Sequence, residues 1–119
     1  MSTADWSPVA VESKIAECAQ RIAKGVKVCA DSHCQFLAAD RDYDVAYSAA
    51  FLSYDGPQTE KKHAAVVATA AEREARDVAE AAYRYADRQA KAIEAELMAY
   101  QSISRSIGQA YNVAGRGER

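Results

Sequence analysis

From residue 60 to about residue 113 the chain contains no proline and a single glycine, Gly108, so for about fifty residues nothing obliges a helix to stop. Within that run Val67, Ala71, Val78, Ala82, Tyr85, Gln89, Ile93, Leu97, Tyr100, Ile103, Ile107 and Tyr111 recur at intervals of three and four, with one of seven between Ala71 and Val78, the period of one helix face. The interval slips where successive fours run from Tyr85 to Leu97, as in a coiled-coil stutter. A helix of about 50 residues is roughly 75 Å long. A chain of 119 residues can cover it only by laying another helix along it.

The first half supplies one. Ser7-Pro8 reads as a helix start, with Ser7 as cap and Pro8 at the first helical position. Val11, Ile15, Cys18, Ile22, Val26, Cys29, His33 and Phe36 then form a stripe of threes and fours. Asp40-Arg41-Asp42 interrupts it with polar residues, and it resumes as Tyr43, Ala46, Tyr47, Ala50 and Tyr54. This spacing predicts helices over 8–37 and 41–54, the second being separate or a bent continuation of the first. Asp55-Gly56-Pro57-Gln58-Thr59 is the strongest turn in the chain. Gly56 is expected in the left-handed conformation that ends a helix, Pro57 blocks continuation, and Thr59 is placed to cap the next helix.

The predicted fold is therefore all-α: a long antiparallel helical hairpin of helices 8–37, 41–54 and 60–113. It forms one domain over 8–113, with disordered ends at 1–7 and 114–119. Composition agrees, since Ala, Glu, Lys, Arg and Gln dominate and β-branched residues never alternate as in a strand. Two Ala-rich helices side by side leave aromatic positions uncovered on both flanks, which favours a homo-oligomer, a helical bundle or ring of coiled-coil type.

Charge narrows the function. The net charge is −2, with residues 1–60 carrying five Lys/Arg against nine Asp/Glu and residues 61–119 carrying ten against eight. A dedicated nucleic-acid binder is more basic overall, so such a role needs a local patch. No apolar run approaches the roughly 20 residues that span a bilayer. The first residues lack a secretory signal pattern, and three cysteines in a helical chain suit a reducing compartment, so a cytoplasmic location is expected.

Catalytic signals are weak. Cys29 and His33 share a helix face, but Cys34 is turned about 100° away and no second pair completes a zinc set. Glu72–Arg76, Glu80–Arg84 and Asp87–Lys91 stand at salt-bridge spacing, and neither His33 nor His63 belongs to a nucleophile motif. No enzyme, no metal and no cofactor are expected. The basic residues are more suggestive. Lys14, Arg21, Lys24 and Lys27 dominate the polar face of the first helix. Arg84, Arg88 and Lys91 share a face near Tyr83, a combination able to hold phosphates and stack exposed bases. Repetition of these patches in an oligomer would let weak contacts add up along a single strand.

The layout resembles the UvsY-type recombination mediators of tailed phages over most of residues 10–112. The likeness lies in a base-bearing first helix, an aromatic segment Phe51-Leu-Ser-Tyr54-Asp-Gly56, and a second arm. That arm closes on Ala90-Lys91-Ala92-Ile93-Glu94-Ala95-Glu96-Leu97, followed by Gln101-Ser102-Ile103-Ser104-Arg105-Ser106-Ile107. It departs where the family carries bases before the aromatic segment, since Arg41 stands here among Asp40, Asp42 and Asp44. The resemblance implies a ring-forming protein that binds single-stranded DNA and helps a recombinase displace a single-strand-binding protein. It also implies that Lys14, Arg21, Lys24 and Lys27 touch DNA, and that Ile93, Leu97, Tyr100, Ile103, Ile107 and Tyr111 carry assembly. The other reading of the same residues is a small helical adaptor or inhibitor that contacts a protein partner and no DNA. The acidic Asp40–Asp44 stretch and the net negative charge support it.

Overall fold

The computed structural model describes residues 6–117, and these are helical apart from the turn and short irregular joints. Helix α1 spans Pro8–Ser53, and the Ala10 N–H donates to Ser7 Oγ at 3.1 Å, so Ser7 is its cap. Residues 41–54 are a continuation of the first helix and not a separate one, since α1 is unbroken across residues 38–42. Asp40-Arg41-Asp42 costs little helix propensity, and the inward row continues across it through Ala39 and Tyr43.

The turn corrects two expectations. Gly56 does not adopt a positive φ. A Cβ there would lie 2.7 Å from the Tyr54 hydroxyl oxygen, so any other residue at 56 would push the Tyr54 ring aside. Thr59 caps nothing. It lies inside a short 3-10 turn, Gln58–Glu60, and neither that turn nor the helix after it has a side-chain cap. What ties the turn is the Tyr54 hydroxyl, which donates to Glu60 Oε2 at 2.9 Å.

The second arm is two helices rather than one: α2, Lys61–Ala68, and α3, Ala70–Gly117. Between them Thr69 stands at φ −111°, ψ 20°, and its hydroxyl donates to the Ala65 carbonyl at 2.7 Å. A buried threonine satisfying itself on the preceding turn distorts a helix locally. Helix α3 outruns the expected end at residue 113 by four residues. Trp6, expected in a disordered end, sits edge-on to Tyr100 with ring centroids 5.6 Å apart. The remainder of the expected loose ends, 1–5 and 118–119, lies outside the described residues.

The inward rows are strict heptads. In α1 the covered positions are Val11, Ile15, Cys18, Ile22, Gly25, Cys29, Ser32, Phe36, Ala39, Tyr43, Ala46 and Ala50. In α2 and α3 they are Ala65, Thr69, Glu72, Arg76, Ala79, Tyr83, Ala86, Ala90, Ile93, Leu97, Tyr100, Ser104 and Ile107. Two members of the expected first stripe are thereby displaced by one residue. Val26 is 66% exposed while Gly25 faces in, and His33 is exposed while Ser32 faces in. In the second arm the expected row Val67–Ala71–Val78–Ala82–Tyr85 faces outward.

Two compact units form along these rows: a terminal unit of Met1–Val26 with Arg88–Arg119, and a turn unit of Lys27–Asp87. In the terminal unit Val11 and Cys18 are each 1% exposed, and Arg21 donates to Glu96 Oε2 at 3.0 Å. In the turn unit the aromatics of α1 meet small side chains, long cations and one ring of the second arm. Phe36 stacks on Tyr83 at 6.4 Å between centroids, and Ala65, Thr69 and Ala86 are buried. These cross-helix contacts fix the two strands of the hairpin as antiparallel.

Candidate interaction surfaces

The seam of the turn unit is a ladder of rings and cations. The Arg76 guanidinium lies 5.7 Å from the Phe36 ring centroid, that of Arg73 lies 5.7 Å from Tyr43, and Lys61 Nζ lies 5.0 Å from Phe51. Tyr47 bridges the aromatic side, with ring centroids 6.1 Å from Tyr43 and 6.3 Å from Phe51. Such contacts are worth about 0.5–1 kcal/mol each where water reaches them. Arg76 also donates to Asp40, and this bond raises its pKa above the usual arginine value. Three cations that composition alone counts as available are thus held by rings of the same chain. The signal was legible as aromatics at residues 36, 43, 47 and 51 opposite equally spread bases, but only the antiparallel register matches ring to cation.

The expected phosphate-binding residues are partly consumed as well. In the terminal unit Lys14 pairs with Glu17 at 3.6 Å and Arg21 bridges the two helices to Glu96. Lys24, Arg88 and Lys91 of that unit are exposed. In the turn unit Lys27 is exposed, whereas Arg84 donates twice to Glu80 Oε1, at 3.1 and 2.8 Å. Tyr83, expected beside these bases as a stacking platform, turns inward and lies parallel to His33, 4.6 Å between centroids. It is not presented to an outside base. The expected Glu72–Arg76 pair does not form, because Arg76 reaches Asp40 instead. One carboxylate oxygen of Glu72 is left buried without a hydrogen-bond partner.

Of the expected assembly set, Ile93, Leu97, Tyr100, Ile103 and Ile107 are half-buried, four of them in the intrachain heptad row, and Tyr111 is 65% exposed. The bulk of that apolar surface is already spent inside the hairpin. The apolar surface left outside lies elsewhere: Val45 is 70% exposed and Leu52 77% on α1, Val67 77% on α2, and Val78 64% and Tyr85 65% on α3. None of these was assigned to assembly from the sequence, because there Val67, Val78 and Tyr85 read as core.

The cysteines are free, Cys18 buried, Cys29 half-buried and Cys34 exposed, and no three His, Cys, Asp or Glu residues among the described ones converge as a metal site. No helix among the described residues is long and apolar enough to cross a membrane. Comparison with family models, with curated proteins and with solved structures finds no match to this chain.

Proposed function

We propose that this protein is a helical interaction module that acts by presenting apolar helix faces to protein partners, without catalysis and without a cofactor. The observation carrying this reading is the exposed row Val67, Ala71, Ala75, Val78, Ala82 and Tyr85 in the turn unit. It runs beside a heptad row already used within the chain. A helix whose inward row is already packed and which carries a second, apolar row outside is built for two packing partners, and the hairpin supplies one. The test is a photo-crosslinking residue placed singly at Val45, Leu52 and Val78 in cells that make the protein. Protein adducts at these sites, above those from a control at Asp44, support the reading; their absence at all three overturns it.

The second reading is the UvsY-type mediator: an oligomer in the cytoplasm of an infected cell that binds single-stranded DNA and assists a recombinase against a single-strand-binding protein. It is favoured by Lys24 and Lys27, whose side chains are exposed on the first helix. Anisotropy of a labelled single-stranded oligonucleotide, titrated at several salt concentrations beside a duplex, separates the two readings. Salt-sensitive binding that prefers the single strand and falls on replacing Lys24 and Lys27 with Ala supports the mediator. No binding at micromolar protein in low salt removes it.

A further inference from the structure

We propose that the outward row of the turn unit pairs with the same row of a second copy of this chain, antiparallel about a twofold axis near residue 80. This inference rests on the protein-contact reading above and names the partner.

Two kinds of complementarity select the pairing. The row Ala71, Ala75, Val78, Ala82, Tyr85 advances by four, three, four and three residues, a heptad seam one residue ahead of the intrachain one and so rotated by about 100° from it. Antiparallel packing about an axis near residue 80 sets Val78 against Ala82 of the other copy and Tyr85 against Ala75. Every large side chain then meets an alanine, and the helices approach closely without a clash. The flank of the row away from the intrachain seam carries Glu74 and Asp77, then Ala81, then Arg84. About the same axis Asp77 of each copy lies level with Arg84 of the other, so the ion pairs form twice. Moving the axis by half a heptad either way still mates large with small, or with Gln89. It would, however, place Asp77 level with Asp77, or Arg84 level with Arg84. Like charges held together at an interface are strongly unfavourable. The higher axis also sets Asp77 level with Lys91, but the axis near residue 80 gives two ion pairs with no like-charge meeting. Charge therefore favours it among the registers that size leaves open. Acid ahead of base on one face complements an inverted copy of itself, which makes a second copy the fitting occupant.

Arg84 has the freedom to take part. It is bonded to Glu80 on one side, yet its side chain is 66% exposed. Asp77 is likewise 56% exposed, with Arg73 at 3.6 Å and Arg76 at 3.7 Å.

The test is sedimentation velocity of the full chain over the micromolar range, with far-ultraviolet circular dichroism as a control on folding. The wild type is expected to show a concentration-dependent monomer–dimer equilibrium. Val78→Glu is expected to be monomeric with unchanged helicity, because residue 78 is 64% exposed within one chain. Val78→Gln, which adds no charge, is expected to weaken the dimer less. Asp77→Arg and Arg84→Glu each bring like charges together twice and are expected to raise the dissociation constant at least about tenfold. The double variant Asp77→Arg/Arg84→Glu restores the pairs with signs exchanged, and is expected to return to within about threefold of wild type. A wild type that stays monomeric overturns the proposal, as does a dimer indifferent to Val78→Glu or a double variant no tighter than the singles. A monomer that still forms adducts to a different protein from position 78 overturns self-pairing alone. A monomer without adducts at 45, 52 or 78 overturns the protein-contact reading too.

Discussion

In the terminal unit the largest seam side chains come from α3, as Ile93, Leu97, Tyr100 and Ile107, while α1 answers with the aliphatic Val11, Ile15 and Ile22 and the small Cys18 and Gly25. In the turn unit the supply is reversed. Helix α1 gives Phe36, Tyr43 and, beside the row, Tyr47 and Phe51, and the second arm gives Ala65, Thr69, Arg76, Ala79 and Ala86 with one ring of its own, Tyr83, stacked on Phe36. Both units obey one heptad rule, but the first is held mainly by aliphatic burial and the second by rings against cations and an ion pair. The lesson is that a hairpin seam needs summed volume and not matched hydrophobicity. Where one helix is bulky and aromatic, the other does best with alanine or with a long cation that lies flat on a ring. The same substitution helix therefore has different effects at its two ends.

The sharpest way to break this comparison is Val11→Asp. A carboxylate at a position 1% exposed is expected to cost roughly 3–5 kcal/mol, read by urea unfolding. Hydrogen exchange should show lost protection over the terminal unit with the turn unit retained. Equal loss over both would make them one cooperative structure. Next comes Ala86→Leu, which overfills the turn-unit seam at a position 8% exposed; a loss of about 1–3 kcal/mol is expected. An unchanged midpoint would show that the aromatic side yields easily. Glu72→Leu should act in the opposite direction, raising stability by about 1 kcal/mol, because it removes a buried carboxylate oxygen that has no partner. A destabilised variant would mean that Glu72 has a role this seam does not reveal.

The smallest effect lies at the turn. The bond to Glu60 holds the Tyr54 hydroxyl's pKa above the usual 10.0, with desolvation and the Glu60 charge acting in the same direction. A pKa raised in the folded state means that the protonated form is the one the fold favours. The contribution of Tyr54 is thus complete below its unfolded value and is lost as pH rises through the folded one. Absorbance titration at alkaline pH should find one tyrosine ionising late, and Tyr54→Phe should abolish that late step. A titration unchanged by the substitution would place the late tyrosine elsewhere.

Much of the fold was legible in the sequence. The start at Ser7-Pro8, the turn at residues 55–57 and the long proline-free arm were all readable, because caps and breakers act through local backbone chemistry. Of the two readings open at Asp40-Arg41-Asp42, a separate helix or a continuation, the structure has the continuation, since polarity alone does not end a helix whose inward row is unbroken. The outward row reads as core in the sequence because it is the more apolar of two adjacent rows. The actual seam uses Glu72 and Arg76, which no reading of hydrophobicity would select. The stutter read between Tyr85 and Leu97 marks where the apolar line crosses from the outer row to the inner one.

The sequence by itself determined that this chain is helical, that it turns back once near Gly56, and that its apolar residues recur with helical period, because these properties depend on neighbours within a few residues. Only the tertiary structure decided which row faces in. It did so by matching Phe36 and Tyr43 to Arg76 and Arg73, and Arg21 to Glu96, across helices that are far apart in sequence. Rotation of a helix about its own axis changes none of its internal hydrogen bonds, so local chemistry is blind to it and only the partner helix fixes it.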